Sequence, residues 1–541
     1  MSTFPEQPSI SHGKVSILPL TVSIATYNTA VTDLPANVVE PIEGIREPTT
    51  DSDRRSSAQP VLRNTIFLTI GQVVGVPLSM LANAVTARYL GPAAFGYMYL
   101  GGAFNSFGFL VVEWGQGGVL PALVAADRAR AGQLLGTSIL WRCVGALAIY
   151  PVLIGLARVL GYGHEIRTVI TLFFVGYTVS AISNVGQWII IGFERVEVAA
   201  YRQILEQTAV LVVVLPILVL GGQLNAALVG HAVVTVSVLF YIWYSLRATN
   251  VGRLSVDLGT LRTLLRRGTP FVFMGLAMTL QPVIDATFIA KLASADVVGW
   301  HSAARRLVGF LIFPASALIG ALYPTLCRLH VTDFEAFKRT TSSALRGTSL
   351  MVIPVALGCL LYPDIGIAFY DRKLFLPAED NVRVLSLFVF LLYFTMPLGI
   401  CVLAAGKQRV WMLVQSSCVV VSLVLDPLLV PWFQHRMGNG GLGVAVATVV
   451  SEVIVLGCGI WLAPRGIFNR GFWRSLIPAF VSGTAMVAIA RALHLISSFV
   501  AAPIAVMAYV GCLWITGGVD EGFIAELRRL VMSARSRLSL R

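Results

Sequence analysis

The chain has 541 residues, 56% of them hydrophobic and only 12% charged, with a net charge of +13 and a mean hydropathy of +0.78. Soluble domains carry roughly a quarter charged residues, so this composition excludes an ordinary soluble fold and points to an integral membrane protein. The basic excess argues for oriented loops rather than nucleic-acid binding, because Lys and Arg sit in short segments between apolar runs and not in a patch with interleaved aromatics. The seven cysteines stand singly, mostly inside apolar runs and without a CxxC pair, so each reads as a small buried hydrophobe and no disulfide framework or zinc site is expected.

Residues 1–60 are rich in Pro, Ser, Thr and acids, and their one short apolar stretch contains Pro19. They read as a flexible tail without a fold of its own and without a cleavable signal. From Asn64 onward, apolar runs alternate with short polar punctuation, each run being long enough for a helix to cross the hydrocarbon core. In chain order the expected spans are Asn64–Tyr89, Phe95–Val124, Gln133–Val159, Thr168–Ile191, Ala199–Leu220 and Leu224–Leu246. After a linker over 248–269 come Pro270–Leu292, Val297–Leu326, Thr341–Phe369, Val382–Leu403, Val410–Val430 and Gly441–Leu462. Two more, Phe472–Leu493 and Phe499–Thr516, precede a basic tail over 518–541. The runs lack the period-2 alternation of barrel strands, so the expected fold is all-α with about fourteen transmembrane helices.

Placing the N-terminus inside gives the inner loops about twice as many Lys and Arg as the outer loops, so both termini are expected in the cytoplasm. Within the linker, Leu258–Arg267 (LGTLRTLLRR) has the pattern of a basic amphipathic helix lying on the inner surface. A shift of 203 residues brings Arg63 onto Arg266, Arg88 onto Lys291, Gly96 onto Gly299, Tyr97 onto Trp300 and Pro121 onto Pro324. Six helices separate the copies, an even number, so the two halves enter the membrane in the same sense. The expected architecture is two parallel six-helix repeats, 61–247 and 270–463, followed by two helices within 464–517.

Ionisable side chains inside these spans cost about 2.5–3.5 kcal/mol each at mid-membrane on insertion scales, so they need partners or a watery cavity. The set is Glu113, Arg142, Glu206, Asp285, Arg305, Arg306, Asp426 and Glu452. Asp285 and Arg305 lie equally far from the turn near Ala295, and their side chains can meet across the hairpin. Glu113 and Arg142 are similarly matched around the turn near Ala129. Each pair reads either as a lock between helices or as part of a ligand site. Arg305 and Arg306 project about 100° apart, so one acid cannot neutralise both, and one guanidinium is left for a cavity. Its planar fork suits a phosphate. His301, one turn before Arg305, is a candidate for the same surface. His231 reads as a helix-packing histidine, Glu206 as the partner of Arg202, and Asp426 as interfacial, while Glu452 has no assigned role beyond a possible coupling site. No nucleotide loop, HExxH, GxSxG or paired-carboxylate motif occurs, so no catalytic residue, metal or cofactor is expected.

The stretches RYLGPAAFGYMYL and IDATFIAKLASADVVGWHSAARRL, the latter followed by LYPTL, resemble the polysaccharide-export (Wzx-like, lipid-linked oligosaccharide flippase) branch of the multidrug/oligosaccharidyl-lipid/polysaccharide (MOP) flippase superfamily. Trp300 stands where the pattern usually has Tyr. The resemblance implies a multi-pass inner-membrane flippase for an undecaprenyl-diphosphate-linked oligosaccharide, such as an O-antigen or exopolysaccharide repeat unit, working with polysaccharide polymerase and export machinery. It also implies that helices one, two, seven and eight line a central cavity, which places Asp285, Arg305 and Arg306 at or near its wall. A cation-coupled multidrug exporter of the same superfamily is the nearest alternative. A membrane-embedded polysaccharide polymerase or ligase is more distant, because such an enzyme is expected to carry a long outer loop.

Overall fold

A computed structural model describes residues 51–249 and 251–518, all of whose regular elements are helical. The helices, in chain order, are α1 (Asp51–Glu113), α2 (Gln116–Ala126), α3 (Ala131–Val159), α4 (His164–Gly192), α5 (Glu197–Val219), α6 (Leu224–Arg247), α7 (Leu258–Leu292), α8 (Ala295–Leu311), α9 (Phe313–Thr332), α10 (Phe334–Leu361), α11 (Pro363–Ala368), α12 (Ala378–Ala404), α13 (Gln408–Met437), α14 (Gly441–Leu462), α15 (Arg470–Ala492) and α16 (Ser498–Ile515). Helices dominate because a bilayer offers no hydrogen-bond partners, and a helix satisfies its backbone within one segment. Most of the expected tails, 1–50 and 519–541, lie outside the described residues.

Among the described residues, twelve helical stretches are long and apolar enough to cross a membrane. One of them, Ile70–Ala126, takes in most of the first expected helix and all of the second, and Ala295–Thr332 runs through α8 and α9. Within α1 the chain reverses at Gly91, whose φ of 77° is open to a residue without Cβ. Before it, Gly71 abuts Ala200 at the start of α5, and Leu90 packs against a cluster that takes in Val210, Val214 and Leu218 of the second half of α5. After it, Gly96 abuts Ala295, whereas Gly115 abuts Gly268 far down α7. The 51–90 and 92–113 arms are therefore antiparallel.

The expected surface helix Leu258–Arg267 is not a separate element. It forms the first turns of α7, which continues through Pro270 to Leu292 and is not among the twelve stretches. Helix α1 likewise starts at Asp51, well before the expected Asn64. One end of the bundle carries the basic connections, and several helices there start from side-chain caps. Asp257 accepts from the Thr260 N–H (2.6 Å), Asp333 from Ala336 (2.9 Å) and Asn469 from Phe472 (2.8 Å). Each cap satisfies one of the N–H groups a helix start leaves unpaired.

Packing is dense at the opposite end. Gly96 and Gly299 bring the 92–113 arm and α8 into backbone contact. A Cβ on Gly96 would overlap the Ala295 carbonyl, and one on Gly299 would overlap the Pro92 carbonyl. Phe95 lies edge-on to Tyr370 and Phe375, and the Trp300 indole N–H donates to the Leu374 carbonyl at 2.9 Å. The 369–377 segment thus caps this crossing.

Candidate functional site

Helices α7 and α8 bring the first charged group together. The Asp285 carboxylate is fully buried and stands 4.0 Å from the Arg305 guanidinium, which is partly exposed. This is the pairing expected from the hairpin. Ser422 and Asp426, one turn apart on α13, face Asp285 from across the bundle. Asp426 is completely buried, so it is not interfacial as its place before Pro427 suggested. Helix α13 runs to Met437 and not to Val430, which carries Asp426 about 10 Å further from the helix end. Two carboxylates here share one guanidinium.

Arg306 diverges from Arg305, as a 100° step requires. Its guanidinium lies 5.1 Å over the Phe95 ring, and no carboxylate of the described residues pairs with it. It is close enough to act electrostatically on Tyr99, Tyr177, His231 and Tyr370. A cation on an aromatic face keeps its hydrogen-bonding edge available. His301 is different. It is fully buried, edge-on to Tyr99 with centroids 6.5 Å apart, and close under Gly441. It packs α8 against its neighbours and does not join Arg306 on an open surface.

A cavity of about 520 Å³ lies between the 92–113 arm and helices α4, α5, α6 and α7. Its wall is mixed. Phe109, Phe173 and Tyr177 offer aromatic faces, Ser106, Ser180, Asn184, Thr235 and Thr279 offer hydrogen bonds, and Glu113, Arg202, Glu206 and His231 offer charge or an imidazole. Arg142 stands behind this wall with a fully buried side chain. It donates to Glu113 (3.2 Å) and to the Ala181 carbonyl (2.8 Å), and it stacks 4.9 Å from the Trp188 ring. Glu113 also accepts from Asn184 at 3.0 Å and keeps 31% of its side chain accessible. Arg142 therefore positions Glu113, and only Glu113 reaches the cavity. Arg202 pairs with Glu206 at 3.7 Å, as its i,i+4 spacing indicated, and also donates to Gln187. His231, read from sequence as a packing residue, lines the cavity with Nε2 unpartnered. Glu452 is buried beside Thr395 on α12 and does not line the cavity.

Sequence reasoning missed the hydroxyl and amide lining of α4. The polar residues Tyr177, Ser180 and Asn184 recur at three- and four-residue spacing along an otherwise apolar span, and that stripe was the available signal.

The sequence model of a family described as polysaccharide biosynthesis protein matches residues 61–330, which hold the cavity and the α7–α8 hairpin. No curated protein matches the chain. Among solved structures, the lipid II flippase MurJ in an inward closed conformation matches with a TM-score of 0.64 and 13% identity, covering 84% of this chain and 99% of that one. A multidrug resistance MATE family transporter of the MOP superfamily, in an inward-facing conformation, matches with a TM-score of 0.61 and 17% identity over 74% of this chain and 97% of that one. At such identities the likeness is one of fold.

Proposed function

We propose that the chain is a member of the multidrug/oligosaccharidyl-lipid/polysaccharide flippase superfamily and that it carries an undecaprenyl-diphosphate-linked oligosaccharide across the inner membrane. The basic end then faces the cytoplasm, and the end closed by Gly96 and Gly299 faces the periplasm. The single observation that carries this reading is Arg306, a cation without an acid partner among the described residues, set on the Phe95 ring and close enough to act electrostatically on Tyr177 and His231 of the cavity wall. A diphosphate brings the anionic charge that this guanidinium lacks, and a fork donor holds it bidentately. Hydroxyls, an amide and aromatic faces are the groups that bind sugar rings. The lipid tail stays in the bilayer while the two six-helix halves rock about the headgroup.

The buried acids favour ion coupling within the same reading. Asp285 and Asp426 with Arg305 are one positive charge short, and a proton or a monovalent cation would supply it. A cation-coupled multidrug exporter shares that feature but has no use for Arg306.

The test uses cells that depend on the chain for export of lipid-linked repeat units. Arg306→Lys should retain part of the export, and Arg306→Ala should lose at least tenfold at unchanged protein abundance while the lipid-linked units accumulate on the inner leaflet. Normal export by Arg306→Ala at wild-type abundance would show that the arginine only anchors its helix.

A further inference from the structure

A second cavity, of about 320 Å³, opens at the basic end between the first turns of α10 and the start of α15. It shares no lining residue with the cavity lined by Glu113 and His231. Lys338, Arg339 and Arg346 line it from α10; Lys338 holds Glu335 at 2.6 Å, Arg339 reaches Asp333 at 3.9 Å, and Arg346 donates to the Gly518 carbonyl at 3.4 Å. Ser342 and Ser475 add hydroxyls, and Gly471 presents the backbone of the first turn of α15. Arg470 and Arg474 stand exposed on the same turns.

The comparable place in the first half of the chain is filled. The extended 251–256 segment lies across the start of α3, where its carbonyls seat on Gly132 and Gly136, and the Asp257 N–H donates to the Thr137 hydroxyl at 3.1 Å. A shift of 203 residues carries Gly132 to Glu335 and Gly136 to Arg339. Long charged side chains therefore occupy the positions where glycine lets the connection pack down. The 463–469 connection packs against α10 through Ile467, in the same cluster as Phe337 and Leu345, and the groove opens beside it.

The depth of this groove is marked by aromatics. Phe468, Phe472 and Trp473 form a cluster with neighbouring centroids 5.4 Å apart, and Trp473 and Trp461 are 59% and 82% exposed. Trp at a helix end, with basic residues beside it, belongs at the headgroup level of a bilayer.

We propose that this groove binds the phosphate of an anionic phospholipid headgroup in the leaflet at the basic end. The cluster of cations, hydroxyls and a helix start suits a phosphodiester monoanion, and basic pockets between helices on the cytoplasmic side are suited to such headgroups. A zwitterionic headgroup would bring its own cation against Lys338 and Arg339 and lose the electrostatic advantage.

The experiment is native mass spectrometry of the purified full chain in detergent, titrated with phosphatidylglycerol, phosphatidylcholine or inorganic phosphate. Wild type should retain phosphatidylglycerol at about tenfold lower concentration than phosphatidylcholine. Lys338→Gln with Arg339→Gln should erase that preference, while Arg262→Gln with Arg266→Gln, exposed at the same end, should keep it. Because Lys338 also holds Glu335, the second variant is Arg339→Gln alone, whose side chain is 73% exposed and loses only a long surface pair with Asp333 (3.9 Å); it should keep the wild-type melting temperature and lower retention severalfold. Equal retention of the two lipids, undiminished retention by both Arg339 variants, or displacement of phosphatidylglycerol by millimolar inorganic phosphate would each overturn the proposal.

Discussion

Arg305 and Arg306 differ by one residue and by role. The hairpin arithmetic was enough to pair Arg305 with Asp285, because both partners are counted from one tight turn and helical rise is constant. It could not find Asp426, whose depth depends on where α13 stops. The segment Pro431–Met437 contains a proline, a glutamine, a histidine and an arginine, so it looks like a loop although it is helical. The membrane interface satisfies those side chains while the backbone continues. One consequence can be measured. Arg305→Gln leaves two carboxylates facing each other without a cation, and should lower the melting temperature of the purified protein by several degrees. Adding Asp285→Asn should recover most of that loss without recovering export. If the double variant is no more stable than the single one, the two acids do not repel through this site.

At the scale of elements, the sequence pattern gave the helix-by-helix order but not how helices join. Leu258–Arg267 has a polar face suited to a membrane surface, and Pro270 follows it, so a break was expected there. The helix continues because only one backbone bond is lost at Pro270, and neighbouring helices hold both flanks. The 203-residue shift remains a reading of sequence. The 51–90 arm packs on α5 as α7 packs on α13, and α4 packs on α6 as α12 packs on α14. Between α3, α4 and the 92–113 arm, the tie is Arg142 with Glu113, Asn184 and the Ala181 carbonyl. Arg142→Ala would leave Glu113 without its cation and is expected to cost about 3–5 kcal/mol. The measurement is protein abundance and thermal stability, with Arg142→Ala plus Glu113→Gln expected to regain part of the loss. An unchanged melting temperature in Arg142→Ala would mean that Glu113 is satisfied from the cavity instead.

For the whole molecule, fold class was legible and the cavity was not. Composition and span length dictate an all-helical polytopic protein, since nothing else satisfies its backbone in lipid. The span count was less secure, because a reversal at a single glycine and a run through α8 into α9 merge or divide helices without changing hydropathy. A cavity depends on which faces of five separate segments converge, and a local pattern carries little of that information. Its wall mixes residues that sequence alone assigns to packing, to ion pairs and to nothing in particular.

The crossing of Gly96 and Gly299 sets the tempo of such a carrier. Backbone rests on backbone there, so a single methyl group raises the energy of the closed arrangement and of no arrangement in which these helices have parted. Each 1.4 kcal/mol of that strain shifts the ratio of shut to open molecules about tenfold. In Gly299→Ala, a cysteine replacing Ser106 in the cavity wall should react faster with an impermeant thiol reagent added from the side on which this crossing lies, by about that factor. Unchanged reactivity would show that another contact holds this end. If reactivity rises as expected, the glycine pair determines how long the protein waits between cycles with this end shut, a dwell time written into two missing side chains.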